Sequence, residues 1–248
     1  MTLEQFFAEN REVAIAFSGG VDSAYLLYAA KRYAARVKAY YVSTAFQPEF
    51  ELADARRLAD ELGADMLVLH VDVLSNSAVT ANPSDRCYHC KNTLFRQILR
   101  AAENDGFPVL LDGTNASDDA GDRPGMRALR ELSVRSPLRE CGLTKAEIRR
   151  LSREAGLFTW DKPAYACLAT RIRTGEEITL QKLKQTEKAE GFLFGLGFRD
   201  FRVRMVDNTA KLELREADLP LLLENREKIV TELRKDYDSV LLNLEVRK

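Results

Sequence analysis

Apolar and polar positions follow two different periods along this chain. Val13-Ala14-Ile15-Ala16-Phe17 is a short apolar run rich in strand formers. Residues 24–35 follow it, with Leu26, Leu27, Ala30 and Tyr33 at helical spacing. Residues 37–42 read as a second strand. Residues 50–62 read as an amphipathic helix, with Leu52, Ala55, Leu58, Ala59 and Leu62 on one side and Gly63 as its stop. A third strand is predicted over 64–71, a helix over 92–104 and a fourth strand over 108–112. A short helix joins Arg123-Pro124-Gly125 to Val134-Arg135-Ser136-Pro137-Leu138. A helix over 144–155 starts on a capping box, Thr144 with Glu147, and closes at Gly156. Strands alternating with helices predict an α/β fold with a doubly wound parallel sheet. From about Ile178 the order changes to helix 180–196, strands 201–206 and 210–214, helix 219–233 and a last strand 240–246. That run predicts a second, smaller α+β domain, so two domains are expected, 1–165 and 166–248.

The first strand and helix are joined by Ser18-Gly19-Gly20-Val21-Asp22-Ser23. Adjacent glycines let the backbone turn tightly and bring N–H groups close to a ligand. Two serine hydroxyls add donors, and the helix start adds partial positive charge, with Asp22 beside it. These are the parts of a cradle for a phosphate chain. In a parallel sheet ligands bind outside the carboxyl ends of the strands, where this loop lies. No lysine follows the glycines, so the kinase and GTPase spacing is absent. The six residues instead resemble the S-G-G-x-D-S loop of the ATP pyrophosphatases. That resemblance implies cleavage of ATP between its α- and β-phosphates.

Composition narrows the classes. An apolar share of 46% over 248 residues suits a globular protein with a real core. A formal net charge of -1 gives no overall pull toward nucleic acid or acidic membranes. No apolar run reaches membrane-spanning length, and the first residues are too acidic and too short in apolar content for a signal peptide. A cytoplasmic protein with no membrane partner is the expectation. In that compartment the four cysteines are not expected to form structural disulfides, which raises metal and catalytic roles.

Several other stretches carry candidate chemistry. Asn82-Pro83-Ser84-Asp85-Arg86-Cys87-Tyr88-His89-Cys90-Lys91 reads as a polar loop bearing a C-x-x-C pair ahead of the helix over 92–104. Cys87 and Cys90 suit one metal or cluster iron. A redox dithiol, half a zinc site and two unrelated thiols fit the same spacing, and His89 is a weaker ligand candidate beside Cys90. His70, at the end of the third strand, reads as a packed or capping residue. The loop from Asp112 through Gly113, Thr114, Asn115, Ala116, Ser117 and Asp118 to Asp119 brings polar groups to another strand end. Its carboxylates suit Mg²⁺ on phosphate oxygens, although an Asx-turn with a helix cap would use one or two of them. Cys141 reads as a bystander. Cys167, among small residues and followed by Arg171 and Arg173, suits a reactive thiol, a nucleophile for an adenylate. Arg202 and Arg204 are two apart on a predicted strand, so both point to one face, suited to a phosphate or carboxylate or to plain solvation.

Taken in order, Ser18 to Ser23, Asp112 to Asn115, Arg123-Pro124-Gly125, Ser136-Pro137-Leu138, Lys162-Pro163-Ala164 with Ala166-Cys167-Leu168-Ala169, Arg171-Ile172 and Arg202-Val203-Arg204 resemble the LarE family over nearly the whole chain. The block around Cys167 is its most specific part. The resemblance implies an adenine nucleotide alpha hydrolase-like, PP-loop fold and an ATP-dependent sulfur transferase of nickel-pincer nucleotide biosynthesis. A carboxylate of pyridinium-3,5-biscarboxylic acid mononucleotide would be adenylated and turned into a thiocarboxylate. Ser18, Gly19, Gly20, Asp22 and Ser23 would hold pyrophosphate and Mg²⁺. Asp112, Thr114 and Asn115 would help to place ATP or metal, and Arg202 and Arg204 would take the substrate phosphate. In one group of members the cysteine matching Cys167 gives up its own sulfur. In another, three cysteines matching Cys87, Cys90 and Cys167 hold a [4Fe-4S] cluster whose open iron carries sulfide. The family usually ends on a Gly-Tyr-Arg-Gly-Ser-like stretch, and here Glu245-Val246-Arg247-Lys248 stands in its place. A small-molecule nucleotide substrate and a homo-oligomer are expected, and nucleic acid is not. The rivals are a tRNA thiolation enzyme of the same superfamily and a non-catalytic nucleotide-binding module with a structural zinc.

Overall fold

A computed structural model describes residues 1–118 and 124–247. Its helices are α1 (Leu3–Glu9), α2 (Val21–Tyr33), α3 (Glu49–Glu61), α4 (Ser77–Thr80), α5 (Arg86–Asn104), α6 (Pro124–Glu131), α7 (Pro137–Glu140), α8 (Lys145–Glu154), α9 (Leu180–Gly195), α10 (Leu219–Glu224) and α11 (Arg226–Leu233). Its strands are β1 (Glu12–Ala16), β2 (Arg36–Ser43), β3 (Asp65–His70), β4 (Leu110–Leu111), β5 (Arg202–Val206), β6 (Thr209–Glu213) and β7 (Ser239–Leu242). The chain divides into two compact units, residues 1–73 with 85–162, and residues 74–84 with 163–248.

In the first unit the strands form a parallel sheet in the order β3-β2-β1-β4. Successive side chains of a strand point to opposite faces, and both faces here are covered. Val13 and Ile15 of β1, with Ala39 and Tyr41 of β2, join the core beneath α1, α2 and α8. Ala14 and Tyr40, between them in sequence, join a second core with Ile98 and Ala102 of α5 and Phe107. This double burial explains the unbroken apolar run at 13–17. The strand order reverses at β1, which has β2 on one side and β4 on the other. Such a switch point opens a crevice at the carboxyl ends of the two strands, and the loops after β1 and β4 both leave from there.

The second unit has a smaller sheet in the order β5-β6-β7, antiparallel then parallel. Val203, Met205, Ala210 and Leu212 face a core shared with Leu193, Ile229 and Leu233 from the helices. The expected fold class, a parallel α/β sheet with a smaller α+β partner, is the one observed.

Four local expectations are corrected. α5 starts at Arg86, not at residue 92, so Cys87 and Cys90 lie in its first turns instead of in a loop. The strand expected over 108–112 shrinks to Leu110–Leu111, preceded by Pro108, which has no N–H, and bridged in parallel at Leu111 to Arg135, whose O accepts from Asp112 N at 2.9 Å. The helix expected over 219–233 breaks at Asn225, whose side-chain amide donates to Leu221 O at 3.0 Å and caps the first piece. The last strand ends at Leu242 and not at residue 246. Asp119, Arg123 and Lys248 lie outside the described residues. Among the described residues no helix is long and apolar enough to cross a membrane.

The capping box at Thr144 is formed in full, its hydroxyl accepting from Glu147 N and the Glu147 carboxylate accepting from Thr144 N. Thr144→Ala should therefore cost about 1 kcal/mol. The check is a lower denaturant midpoint with an unchanged slope.

Candidate active site

Residues 18–23 form a closed turn from β1 into α2. Ser23 Oγ accepts from Ser18 N at 3.2 Å, lies 3.0 Å from Ser18 Oγ and donates to Gly20 O at 3.2 Å. Gly19 has φ +71°, and a Cβ there would lie 3.1 Å from Ala55 Cβ of α3, so both conformation and space demand glycine. Gly20 is the N-cap of α2 and provides no side-chain cap. The first-turn N–H groups of a thirteen-residue helix are thus left for a ligand, together with the positive end of its dipole. Gly113, in the loop after β4, approaches the same turn. A Cβ on it would lie 2.9 Å from Ser23 N.

Asp22 sits in the first turn of α2. Its carboxylate accepts from Lys145 Nζ at 2.6 Å and from Asn115 Nδ2 at 3.4 Å. Burial pushes its pKa up, the Lys145 ammonium opposes that shift, and the nearby Asp118 carboxylate reinforces it. Lys145 is the first residue of α8 and its N–H donates to Ser117 Oγ at 2.9 Å, so α8 closes the site from a third element.

Asp112, Thr114 and Asn115 are all buried, and the structure gives them different work. Asp112 accepts from Thr114 Oγ1 at 2.5 Å, from Thr114 N at 3.3 Å and from Ser136 Oγ at 2.6 Å. Its carboxylate is occupied in shaping the loop. Asn115 accepts from Ser117 N at 2.8 Å and turns its amide toward Asp22. The partly exposed carboxylate at the phosphate turn is therefore that of Asp22, and an uncapped helix end beside it fits a polyphosphate carrying Mg²⁺.

Cys87 and Cys90 stand one helical turn apart in the first turns of α5. Arg86 Nη2 lies 4.0 Å from the exposed Cys87 Sγ. Tyr88, between the two cysteines, donates to Glu131 of α6 at 2.7 Å and has the Arg127 guanidinium 4.0 Å over its ring. His89 Nε2 faces Asp85 at 3.3 Å. Among the described residues no three of His, Cys, Asp and Glu are grouped so as to hold a metal ion. Cys141 ends α7, and burial pushes its thiol pKa up.

In the second unit Cys167 precedes a short 3₁₀ turn, Leu168–Arg171. Arginines hold this loop by its carbonyls. Arg171 Nη1 donates to Ala166 O at 2.6 Å and to Cys167 O at 3.2 Å. Arg202 Nη2 donates to Ala164 O at 2.7 Å, and Arg204 Nη1 to Thr170 O at 2.6 Å. Glu190 of α9, 1% exposed, holds the arrangement from behind. It accepts from Arg171 Nε at 2.9 Å, from Arg171 Nη2 at 3.0 Å, from Val203 N at 2.9 Å and from the Tyr165 hydroxyl. Burial lowers the pKa of Arg171, but the Glu190 bond and charge outweigh it and the net direction is up. For Arg202, burial and the neighbouring Arg171 and Arg247 move it down.

The sequence reading missed Lys145, Glu190 and Tyr165, and gave Ser136 no role. Only Tyr165 carried a local signal, two residues before Cys167. The raised pKa of Asp22 has a checkable sign. Its contribution to stability is full at low pH and is lost as pH rises through its folded-state value. Asp22→Asn should therefore raise the melting temperature at pH 7.5, with the gain fading below the ordinary carboxylate range.

The asparagine synthase family model matches residues 4–118, the span from α1 through the 18–23 and 112–118 loops. The chain is 40% identical to the uncharacterized protein slr1717 of Synechocystis, over 86% of this chain and 80% of that protein. It is 34% identical to the pyridinium-3,5-bisthiocarboxylic acid mononucleotide synthase of Lactiplantibacillus plantarum, over 87% of this chain and 79% of that enzyme. A more distant likeness, 26% identity over 59% of this chain and 52% of the relative, is to the tRNA-specific 2-thiouridylase MnmA of Thermotoga petrophila. Similarity of that level to the synthase, over most of both chains, places the chain in the LarE family.

Proposed function

We propose that the chain is an ATP-dependent sulfur transferase that converts a carboxylate of pyridinium-3,5-biscarboxylic acid mononucleotide into a thiocarboxylate. The observation that carries this reading is the Cys167 loop, whose carbonyls are fixed by Arg171, Arg202 and Arg204. A thiol held that firmly suits attack on an activated acyl group. The uncapped start of α2 supports ATP as the activator.

In the first step a substrate carboxylate oxygen attacks the α-phosphorus of ATP. The bond to the bridging oxygen breaks, and pyrophosphate leaves from the 18–23 turn. Ser18, Gly19, Gly20 and Ser23 stabilise its charge through hydroxyls and main-chain N–H groups. Asp22 holds Mg²⁺, which when bound neutralises phosphate charge. Asp112, Thr114 and Asn115 keep the neighbouring loop in shape. Lys145 sits against Asp22 and adds a cation to the phosphate end. Arg204 meets the substrate's phosphate, with Arg202 behind it. In the second step the Cys167 thiolate attacks the acyl carbon, the carbon–oxygen bond to AMP breaks, and a thioester forms. Loss of the Cα proton of residue 167 with cleavage of its Cβ–S bond then gives the thiocarboxylate and dehydroalanine. A [4Fe-4S] cluster on Cys87, Cys90 and Cys167, when bound, would instead supply sulfide and spare the cysteine. A homo-oligomer in the cytoplasm completes the reading.

The deciding experiment is anaerobic purification with a count of iron, acid-labile sulfide and zinc per chain. The cluster route expects about four irons, lost on changing Cys87, Cys90 or Cys167. A metal-free protein whose mass at residue 167 falls by one hydrogen sulfide after a single turnover points to the sacrificial route. In both cases Cys167→Ala should make no thiocarboxylate, and full activity in that variant sinks the assignment. Zinc alone, with no pyrophosphate released by any acceptor, returns the chain to a binding module. Salt-sensitive tRNA binding returns it to the thiouridylase reading.

A further inference from the structure

Arginines fix the Cys167 loop on its entry side, at the carbonyls of Ala164, Ala166, Cys167 and Thr170. Its exit is held by a different residue. The side-chain amide of Asn82 donates to Arg173 O at 2.8 Å and to Ile172 O at 3.4 Å, and Asn82 O accepts from Gly175 N at 2.8 Å. Two residues earlier in the same segment, Thr80 O accepts from Ile178 N at 2.8 Å. Residues 173–175 are exposed, yet Asn82, which grips them, is 1% exposed. Ile172 also bridges Met205 of β5 in parallel, so β5 and Asn82 both hold the exit.

The segment that bears Asn82 is an excursion of the chain. Residues 71–85 join β3 to α5, a connection far longer than the roughly two to six residues usual between strand and helix in α/β units. Residues 74–84 pack with the second unit, although the residues on both sides of them pack with the first. Val79 of α4 is wholly buried, and Asn76 caps α4 by accepting from Ala78 N at 3.0 Å. Asn82 itself has φ +52°, a left-handed conformation that few residues besides glycine and asparagine adopt routinely. Glycine would meet the backbone requirement and bring no donor. Aspartate would meet it too, but would turn an acceptor toward two carbonyl oxygens. Only the amide satisfies both demands. A buried side chain in a sparsely used conformation is thus committed to the carbonyls of an exposed turn.

We propose that Asn82 is a positioning residue for the sulfur-transfer step: it fixes the exit of the Cys167 loop, as the arginines fix its entry, and so keeps the Cys167 sulfur in one geometry toward the activated acyl group. The inference rests on the sulfur-transferase reading above. Asn82 acts through the main chain of residues 172–175, so its loss spares adenylation and slows transfer.

The test uses two variants of the full chain. Asn82→Gly keeps the left-handed backbone and removes the amide. Asn82→Asp keeps the shape and reverses the polarity, and it keeps the test open if the Gly variant does not fold. Three rates are followed with ATP and pyridinium-3,5-biscarboxylic acid mononucleotide: pyrophosphate release, thiocarboxylate formation, and alkylation of Cys167 by iodoacetamide, read by mass with Cys141 as internal reference. Asn82→Gly should leave pyrophosphate release unchanged and slow thiocarboxylate formation about tenfold or more. Alkylation of Cys167 should become about threefold faster or more, with Cys141 unchanged. Asn82→Asp should shift both in the same direction and further. Equal loss of pyrophosphate release and thiocarboxylate in a folded variant, or loss of neither, overturns the positioning role and leaves the sulfur-transferase reading standing. An unaltered chain that forms no thiocarboxylate overturns that reading, and the alkylation rate then decides alone. Faster alkylation at Cys167 only keeps Asn82 as the anchor of its loop, and an unchanged rate overturns that as well.

Discussion

The first unit depends on the unsatisfied start of α2. A helix leaves its leading N–H groups without intrahelical partners, and a serine, threonine or aspartate cap ordinarily answers them. Here the N-cap is Gly20, which has nothing to offer. Ser18 and Ser23, the residues that could cap, are bonded to each other instead. Two further sacrifices keep that end open. Gly19 takes a left-handed conformation against Ala55, and Gly113 leaves no side chain over Ser23. Each choice weakens the local structure in isolation, and all become intelligible once an anion occupies the turn. The sheet supplies the place: β1 is the strand at which the order reverses, so loops from two neighbouring strands converge on that one end.

The second unit solves a different problem, which is to hold an irregular loop still. Residues 163–167 have no regular secondary structure, so their carbonyls need partners from elsewhere. Arg171 and Arg202 supply them, and Arg204 holds Thr170 O just beyond. A guanidinium as buried as Arg171 is costly unless its charge is compensated, and Glu190 compensates it through a two-pronged pair. The same carboxylate also receives Val203 N, which ties the loop to β5. Such pairs are weak sources of net stability against apolar packing, but removal of one partner is severe. Their use here is consistent with conformational specificity of the loop.

Much of the fold was legible because it rests on local periodicity. The apolar run at 13–17, the stripe on α3 and the capping box at Thr144 each depend on residues within a few positions. The 18–23 turn was legible for the same reason. The failures share a cause. Lys145 lies 123 residues from Asp22 and Glu190 lies 19 from Arg171, and nothing in the local pattern selects those partners. α5 begins six residues earlier than the pattern suggested because the stretch Arg86-Cys87-Tyr88-His89-Cys90-Lys91 is polar and carries no apolar stripe of its own. It is held by tertiary contact instead, through Tyr88 with Glu131 and Arg127 of α6. Asp112 shows the converse case. Its place at a strand end is legible in sequence, but the partners that its oxygens accept from, Thr114 and the distant Ser136, come from the fold.

The placement of the C-x-x-C pair on a clamped helix, and not in a loop, bears on what the pair is suited to do. Two thiols one turn apart on a regular helix project from one side at a spacing fixed by the backbone. The Tyr88 hydroxyl bond and the Arg127 contact remove the freedom that the exposed first turns of a helix would otherwise have. A fixed pair of soft donors suits ligation, in which geometry must be kept while an exchangeable atom comes and goes. The Cys167 loop is equally fixed, through its carbonyls. Rigid main chain around a thiol is useful to either sulfur route. Rigid main chain around the Cys87–Cys90 pair, held by Tyr88 against α6, keeps the spacing of the two thiols fixed by the helix and not by a ligand.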